Sequence, residues 1–504
     1  MFMFTFPIAL AAASILYFAC FVVYRLFLHP LASFPGPKLA AATIWYEFYY
    51  DGVQIGQYTF KTREMHEKYG PVVRISPSEL HINDPSFIDT LYAGGSVRRD
   101  KYEYFATQFG VFGTVHHNMH RLRRGAMNRF FSKASVTKLE PAIHQKVDKL
   151  CRQLSTHFGS KKPVELNMAF SCFTTDVVTT YAFAKCYDFL DDLSFQTNFH
   201  APIVAGTDLG PYIKQFPFIF PLMQSLPELT FRNSWVTSLN PQMGIYLNFQ
   251  RDVKAQIRET QWQRDIGKAM AKEQNLHATI FHELLESDLP EKGKTAERLW
   301  QDGQIIIGAG TETTAWTLSV IFFYILHNRD IYEKVFSELE EAIPDPYACV
   351  SEGLRLSYGV STRLQRISPD EPMIYKPSQG RFGPKAEVVI PQGILVGMTS
   401  VLVHHDPEVF PDSQKFGPSR WLDKNGNRDR SLDKYILSFS RGSRQCIGIN
   451  LAYAELFMVT GLLLRRLGPH LKLYQTGLDD VQILHDCFVT LPKLDTKGIR
   501  VTLN

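Results

Sequence analysis

The residues best suited to chemistry lie in a glycine-containing loop near the C-terminus, FSRGSRQCIG, which runs from Phe439 to Gly448. Cys446 precedes INLAYAEL, a helix-forming segment, and free N–H groups and the dipole at a helix N-terminus stabilise a thiolate. Gly442 permits a tight turn, Gly448 lets a large flat group approach the backbone, and Arg444 can pair with an anionic group. The alternative is a buried cysteine without a function, which is the commoner fate of a lone cysteine.

A second candidate site lies in the apolar helix predicted for residues 305–326, IIIGAGTETTAWTLSVIFFYIL. Its two glycines each cost about 1 kcal/mol relative to alanine, so they need a reason. Close packing of another helix is one reason. Glu312 and Thr313 indicate a functional reason, because they place an acid and a hydroxyl in an apolar helix. The Thr313 hydroxyl can bond the carbonyl of Ala309, which would loosen the helical hydrogen bonds and make room for water or a diatomic ligand.

A third candidate is the charged pair formed by Glu352 and Arg355, which lie on one face of a predicted helix. An ordinary surface pair of this kind contributes about 0.2–0.5 kcal/mol and is the simpler interpretation. Arg420, in the segment FGPSRW upstream of the cysteine loop, is a possible third member. These residues predict a structural role and no catalytic one.

The cysteine loop resembles the haem-binding signature of the cytochrome P-450 family, F-x-x-G-x-R-x-C-x-G. In the same way, AGTETT resembles the family's oxygen-activation motif, and Glu352 with Arg355 resembles its E-x-x-R motif. The resemblance covers nearly the whole chain. Phrases such as AGTETTAW and FSRGSRQCIGINLAYAEL are most similar to fungal secondary-metabolism members, the trichodiene-oxygenase-like group among them.

The resemblance implies a role for each of these residues. Cys446 would be the axial thiolate ligand of the iron of haem b, a ligand that favours O–O cleavage. The other cofactor-binding residues of the loop would be Phe439, Gly442, Arg444 and Gly448. Thr313 would hydrogen-bond dioxygen and Glu312 would relay protons. The structural triad would consist of Glu352, Arg355 and Arg420, although Ser419 stands where family members usually carry an acid.

The basic segment HRLRR, residues 120–124, offers candidates for binding the haem propionates. The family's W-x-x-x-R pattern would place its tryptophan on Met119 if Arg123 is the match, or on His120 if Arg124 is the match. Both arginines therefore remain candidates, and a solvated basic face or a reductase-docking patch is the alternative. Arg366 is a further propionate candidate.

The start of the chain predicts a membrane anchor. No charged side chain occurs from Phe2 to Tyr24, and a helix of that length spans about 30 Å, enough to cross a bilayer. Arg25 and Lys38 follow the apolar run, which predicts a cytosolic location for the rest of the chain. A cleaved signal peptide would carry a positive n-region and a shorter apolar core. We therefore expect a single-pass anchor at residues 1–25 in the endoplasmic reticulum membrane.

Three further features complete the predicted organisation. The prolines of HPLASFPGPKLA favour extended backbone, so residues 26–38 are expected to form a stiff hinge rather than an ordinary loop. Residues 39–504 show mostly helical periodicity up to about residue 342, with β-rich pieces later, at 386–390 and 487–491. The predicted fold class is mainly α with minor β: a single cytochrome P-450-type haem-thiolate domain behind an N-terminal transmembrane helix.

One departure from the family pattern lies at residues 343–351, IPDPYACVS, between the helix ending near Ala342 and the E-x-x-R helix. A connection this short leaves little room for the customary intervening helix. A trimmed loop that the fold tolerates and an inactive gene product are both compatible with the sequence.

Composition excludes several classes of protein. The 504 residues are 45% hydrophobic and carry a net charge of +4, which argues against disorder and against a nucleic-acid binder. The seven cysteines form no C-x-x-C pair, so neither a zinc ribbon nor a disulfide framework is predicted. No phosphate-cradling loop or flavin region appears. Electrons would therefore come from a separate NADPH-cytochrome P-450 reductase, with cytochrome b5 as a further candidate partner.

These observations predict a membrane-anchored haem-thiolate monooxygenase of secondary-metabolite biosynthesis. It would insert one oxygen atom from O2 into an apolar small molecule such as a terpene or polyketide intermediate, since the runs at 105–112 and 215–222 are rich in aromatic residues. The alternatives are a haem-thiolate isomerase or dehydratase, whose members often lose the acid–alcohol pair, and an inactive haem-binding interaction protein, suggested by the short segment 343–351.

Overall fold

Helices dominate the part of the chain that the computed structural model describes, which comprises residues 2–108, 110–196, 198–200, 203–204, 210–219, 241–266, 279–341, 346–377 and 387–504. The α-helices in these ranges are α1 Phe2–Val23, α2 Lys38–Ala42, α3 Trp45–Phe48, α4 Tyr58–Tyr69, α5 Ile88–Leu91, α6 His117–Asn128, α7 Lys133–Ser155, α8 Leu166–Phe183, α9 Gly210–Gln215, α10 Pro241–Ile266, α11 Ile280–Glu286, α12 Ala296–His327, α13 Arg329–Glu341, α14 Tyr347–Ser357, α15 Ser400–Val403 and α16 Ile449–Leu467.

The strands are short and form small sheets. They are β1 Val72–Ser76, β2 Glu79–Ile82, β3 Asp100–Lys101, β4 Val164–Glu165, β5 Arg366–Ile367, β6 Met373–Tyr375, β7 Val388–Ile390, β8 Leu395–Gly397, β9 Leu471–Leu473, β10 His485–Cys487, β11 Val489–Leu491 and β12 Arg500–Leu503. The largest sheet has the order β1-β2-β8-β5-β3, and only its β2–β8 pairing is parallel. A three-stranded sheet has the order β4-β12-β9, and β6–β7 and β10–β11 are antiparallel pairs.

The core is built around α12, which is the longest of the described helices. The Thr295 hydroxyl caps its first turn by accepting the N–H of Arg298 at 3.3 Å. Residues 317–325 near its C-terminal end are all buried and, apart from Thr317 and Ser319, hydrophobic, as expected for a helix enclosed by other elements. It packs along α8, where the rings of Phe322 and Phe170 lie 5.1 Å apart. The long central helix is thus held as a rigid wall for anything that faces it.

The N-terminal helix differs from this core helix in its surroundings. Residues Ala9–Leu28 form a candidate membrane span with a mean hydropathy of 1.9, and none of that span is buried against the protein. The other candidate span, Ala296–His327, is 67% buried and is the core helix α12. The exposed apolar helix is compatible with a membrane anchor. The proposed division into residues 1–25, 26–38 and 39–504 stays a prediction.

The segment after the apolar helix is attached to the sheet. Helical backbone continues through Leu28, beyond the expected boundary at residue 25. In β1, Arg74 donates from its side chain to the carbonyl of Arg25 at 2.8 Å and from its backbone N–H to the carbonyl of Pro35 at 2.7 Å. A Cβ at Gly36 would lie 2.3 Å from the Arg74 carbonyl oxygen, so glycine is required for this close approach. These contacts fix the proline-rich segment against β1.

The predicted fold class, mainly α with minor β, is confirmed. The sequence interpretation was wrong for β1 and β2, which lie in the region expected to be mostly helical. All residues of both strands are buried, so they lack the alternation that identifies a half-exposed strand. The β-rich piece at 487–491 is a tight hairpin of β10 and β11, turning at Phe488 with a φ of +75°. Of the piece at 386–390, residue 386 lies outside the described residues and β7 begins at Val388.

Candidate active site

The cysteine loop is folded back on itself immediately before α16. The N–H of Cys446 donates to the carbonyl of Phe439 at 2.8 Å, which closes the loop. Gly442 has a φ of +69°, and a Cβ there would lie 2.0 Å from the Tyr92 carbonyl oxygen. Both facts make glycine necessary at Gly442. Gly448 has an ordinary φ of −82°, and a Cβ there would come only within 4.0 Å of the Cys446 Sγ, on the side of the thiol.

Cys446 faces a large cavity that encloses about 1410 Å³ of space, part of it open to solvent. Cys446 has a large solvent-accessible area although protein atoms surround its thiol. We attribute this accessible area to the cavity. Burial raises the pKa of Cys446, and the Gly448 N–H and the Arg124 guanidinium act in the opposite direction. Burial therefore outweighs the local N–H and charge effects in the protein alone, whereas a coordinated metal ion deprotonates a thiol outright.

A cluster of buried basic side chains lines the same cavity. It consists of Lys101, His120, Arg124, Arg366 and Arg444. Burial, reinforced by the neighbouring positive charges, lowers the pKa of Arg444 to about 9 and that of His120 to about 2. The one acidic residue of the described lining is Glu455, and burial raises its pKa well above the ordinary value, which favours the uncharged form. The cluster thus lacks a neutralising anion within the described lining.

The structure separates the two arginines of the basic segment in α6. Arg124 lines the cavity and donates to the carbonyl of Gln445 in the cysteine loop. Arg123 is not among the lining residues; it donates to the Thr114 hydroxyl at 2.7 Å and lies near Asp302. The geometry therefore favours Arg124 over Arg123 as the residue that would contact an anion in the cavity. In the W-x-x-x-R pattern, this choice places His120 where the family has its tryptophan.

Arg444 and Arg366 are held to the cavity wall by backbone oxygens. Arg444 donates to the carbonyls of Arg99 at 3.2 Å and Thr114 at 2.6 Å. Arg366 donates to the carbonyls of Leu364 and Gln365, both at 3.0 Å. Neither guanidinium has a carboxylate partner among the ion pairs of the described residues.

Helix α12 contributes another wall of the cavity. As predicted, the Thr313 hydroxyl donates to the carbonyl of Ala309, at 2.7 Å, yet α12 continues as an α-helix through this point. A Cβ at Gly310 would lie 2.9 Å from the Val178 side chain on α8, whereas one at Gly308 would meet nothing within 4 Å. Close helix packing therefore accounts for Gly310. Thr313 lines the cavity, and Glu312 is not among the lining residues.

Glu352 lies at the centre of a buried polar cluster. Arg355 binds its carboxylate in a two-pronged arrangement, with Nε–Oε2 at 2.9 Å and Nη2–Oε1 at 2.7 Å, and both side chains are fully buried. Arg420 Nε, the Gly417 N–H and Trp421 Nε1 also donate to this carboxylate, at 3.1, 2.8 and 2.9 Å. The interpretation as an ordinary surface pair is excluded. Despite Ser419, the neighbouring Arg420 reaches Glu352.

A histidine connects this cluster to the cysteine loop. His404 Nδ1 lies 2.7 Å from the carbonyl of Arg355, and its Nε2 accepts the N–H of Leu437 at 2.9 Å. Burial lowers the pKa of His404 to about 3, so the ring is neutral. The Nδ1–H group donates to the Arg355 carbonyl, and Nε2 accepts the hydrogen bond from Leu437. The Ser438 hydroxyl adds a bond to the carbonyl of Leu354 at 2.6 Å. Helix α14 thereby fixes the start of the loop that carries Cys446.

The short connection leaves its two flanking elements intact. α13 ends at Glu341 and α14 begins at Tyr347, so part of the segment 343–351 belongs to the E-x-x-R helix itself. Residues 342–345 lie outside the described residues. The buried Glu352–Arg355 pair forms regardless of the shortened connection.

Comparison with known proteins identifies the family. A sequence model described as Cytochrome P450 matches residues 42–477. The chain belongs to the cytochrome P450 family. This P450 is 40% identical to Cytochrome P450 monooxygenase tpcC of Cochliobolus heterostrophus, over 99% of this chain and 97% of that protein. It is 38% identical to Tryptophan 6-hydroxylase fscE of Fusarium equiseti, over 96% and 95% of the two chains, and 37% identical to Conidiogenone synthase PchP450 of Penicillium rubens, over 97% of each.

The family and these relatives establish the class of enzyme. Cytochromes P450 are haem-thiolate proteins, and this chain is a cytochrome P450 monooxygenase of the fungal secondary-metabolism type. Its cavity fits haem on its own chemistry: a thiol faces it, and buried basic groups without a neutralising carboxylate suit the two propionates. The predictions of family, enzyme class and cofactor are confirmed.

Sequence reasoning missed several residues of the site. Lys101 donates to the Phe112 carbonyl at 2.7 Å and lies over the Phe112 ring, but nothing in RRDKYEY indicates a cavity residue. Glu455 is buried, and its Oε1 has no hydrogen-bond partner. The sequence signal that could have identified Glu455 was its position nine residues after Cys446, in the helix that follows the cysteine loop. Trp421 could have been suspected because it adjoins Arg420.

Proposed function

We propose that Cys446 would ligate the haem iron of this monooxygenase and that Thr313 and Glu312, on helix α12, would handle protons. Bound haem supplies dioxygen activation and oxygen transfer, the chemistry that no side chain can provide. The observation that carries the proposal is that Cys446, Thr313 and the cationic cluster all line one cavity. Arg124, Arg366 and Arg444 would hold the propionates. Lys101 lies beside them, and burial lowers its pKa well below the ordinary value.

The protein's own groups then have distinct tasks. The Thr313 hydroxyl, already oriented by the Ala309 carbonyl, can accept or donate a proton at the cavity wall. Glu312 lies one residue away and is 8% exposed, so its carboxylate can store a proton close to that hydroxyl. The apolar side chains of the wall exclude water from the reacting position.

We propose an apolar substrate. The cavity wall away from the basic cluster is formed by side chains such as Val111, Phe112, Val178 and Ile305. The relatives named after a tryptophan hydroxylation and a conidiogenone synthesis show that similar chains serve different substrates. The exposed apolar helix at the N-terminus supports delivery of such a substrate from a membrane, for which we propose the endoplasmic reticulum. Electrons would come from an NADPH-dependent reductase, with cytochrome b5 as a second donor.

The reduced carbon-monoxide difference spectrum of the full chain in microsomes tests the ligand assignment. The wild-type protein should give the far-red Soret band of thiolate-ligated haem, and Cys446→Ala should lose it. Cys20→Ala, which removes an exposed thiol in the apolar N-terminal helix, is the matched control and should keep the band. Retention of the band in Cys446→Ala would contradict the assignment.

Turnover with NADPH, reductase and oxygen separates a monooxygenase from the alternatives. Incorporation of one atom of labelled dioxygen into product supports the proposed reaction. Product formed without NADPH and dioxygen would favour an isomerase or dehydratase. Haem uptake without any turnover would favour the inactive form suggested by the short segment 343–351.

A further inference from the structure

The acid next to Thr313 has a partner outside the haem cavity. Oε2 of Glu312 lies 2.7 Å from Nδ1 of His200, a residue 112 positions earlier in the chain. Glu312 itself is nearly buried, with 8% of its side chain exposed, whereas 24% of the His200 side chain is exposed. His200 therefore lies between the carboxylate and the solvent. A buried acid that exchanges protons during turnover needs such a connection.

The position of His200 is fixed by its neighbours in the chain. The Asn198 side chain accepts the N–H of His200 at 2.8 Å and donates to the Phe195 carbonyl at 2.8 Å. Phe199 is buried, and its ring packs against Phe189 at a centroid distance of 5.1 Å. These two contacts, immediately before His200 in the chain, hold its backbone in place beside α12.

On the other side of the contact, α12 is fixed beside Glu312. The Thr174 hydroxyl of α8 donates to the carbonyl of Thr311 at 2.9 Å, and the hydroxyls of Thr175 and Thr311 lie 3.0 Å apart. The helix cannot rotate about this point without breaking these bonds. The short His200–Glu312 distance is thus set by two anchored elements.

The charges around His200 come from three elements. Glu312 lies on α12, Glu165 at the end of β4 also acts on the ring, and Arg500 of β12 lies beside Glu165. Burial lowers the pKa of His200, but the two carboxylates outweigh this effect and the net pKa is raised. This shift favours the imidazolium form, in which the Nδ1–H group can be donated to Glu312.

We propose that His200 conducts protons from solvent to Glu312 and so supplies the acid used beside Thr313. This proposal rests on the proposed function, in which Glu312 stores the proton. In the transfer, the Nδ1–H bond of the imidazolium breaks and an Oε2–H bond forms, leaving a neutral ring and a carboxylic acid. The acid gives this proton up on the cavity side. The neutral ring keeps its Nε2 proton, turns about its side-chain bonds to take a proton from solvent at Nδ1, and returns to Glu312; 24% of the side chain is exposed for this exchange. One proton moves inward for each cycle, with no other reactant consumed.

His200→Gln tests the relay in the full-length holoenzyme with reductase. Haem content and the reduced carbon-monoxide band should match the wild type, because His200 is not part of the cavity lining. Product formed per NADPH should fall by on the order of tenfold, and peroxide should rise. The fall should be smaller than the roughly 10²–10⁴-fold contribution of a general acid itself, because Glu312 keeps its carboxylate. In the wild type, the coupling (product formed per NADPH) should decline as the pH rises through the His200 pKa. His200→Gln should not show this pH dependence.

Two further variants separate a relay from a structural contact. His200→Lys keeps a positive partner for Glu312 but holds its proton too tightly near neutral pH, so coupling should stay low. Restored coupling in His200→Lys would show that charge alone matters and would overturn the relay. His157→Gln is the matched control, since His157 contacts the carbonyl of Leu193 and stacks near Phe195, and no carboxylate among the described residues pairs with it. It should behave as wild type.

A measurement without turnover tests the pair itself. Histidine labelled with carbon-13 at Cε1 can be titrated in the diamagnetic ferrous carbon-monoxide form, and the resonance missing in His200→Gln is that of His200. Its pKa should drop in Glu312→Gln, since a main stabilising charge is removed. An unchanged pKa, or His200→Gln with wild-type coupling, would refute the proposal. If the wild type formed no product, the proposed function would fail while the titration still decided whether the pair exists.

Discussion

Removing the buried carboxylate of Glu352 is the perturbation with the most clearly calculable effect. In Glu352→Ala the Arg355 guanidinium keeps its bonds to the carbonyls of His404, Ser413 and Lys415 but loses the carboxylate that neutralises it in the described part of the chain. Leaving one partner of a buried ion pair uncompensated costs about 3–5 kcal/mol. The Trp421 and Gly417 N–H groups lose their acceptor as well, at about 1–3 kcal/mol.

The sum, about 4–8 kcal/mol, is comparable to the whole stability of an ordinary domain, about 5–15 kcal/mol. Because His404 ties Arg355 to Leu437, the damage should reach the cysteine loop. We expect Glu352→Ala to accumulate little holoprotein. The assay is haem per chain, from the reduced carbon-monoxide band divided by immunoblot signal, together with the temperature at which the band is lost.

Arg420→Ala is the graded control. Its single contact with Glu352 is 3.1 Å long and 15% of its side chain is exposed, so the loss should be about 1.5–3 kcal/mol and the protein should keep haem at moderate temperature. In the double variant Glu352→Ala/Arg355→Ala the destabilisation should be less than additive, because the fully buried, uncompensated charge of Arg355 is also removed. Glu352→Ala with normal haem content and thermal stability would refute the reasoning.

Three other predictions concern the cavity. Gly442→Ala should abolish haem incorporation, because the new Cβ would lie 2.0 Å from a backbone oxygen and the backbone has a φ of +69°. Gly448→Ala should still fold, because a Cβ there meets only the Cys446 Sγ at 4.0 Å. Equal haem content in the two variants would contradict this prediction. Arg124→Ala should speed haem loss to apomyoglobin more than Arg123→Ala, since only Arg124 lines the cavity; the reverse order would favour Arg123. Thr313→Ala should keep haem but divert NADPH electrons to peroxide, and fully coupled product formation would argue against its role in proton handling.

Local motifs were readable from the sequence because their geometry is set by neighbouring residues. The Thr313–Ala309 bond follows from the four-residue spacing of a helix, and the Gly442 turn follows from its place in the cysteine loop. The buried strands β1 and β2 were missed for the opposite reason. A strand covered on both faces shows no periodicity, and β8, the second partner of β2, lies far along the chain.

The sequence by itself determined the family, the helical class, the apolar N-terminal helix and the candidate residues. Only the tertiary structure decided which charges meet. It placed Arg124 rather than Arg123 at the cavity, brought Lys101 beside Arg366 through the pairing of β3 with β5, and set His200 against Glu312. The physical reason is that side-chain pairing between distant segments depends on how helices and strands pack, and spacing along the chain carries no record of that packing.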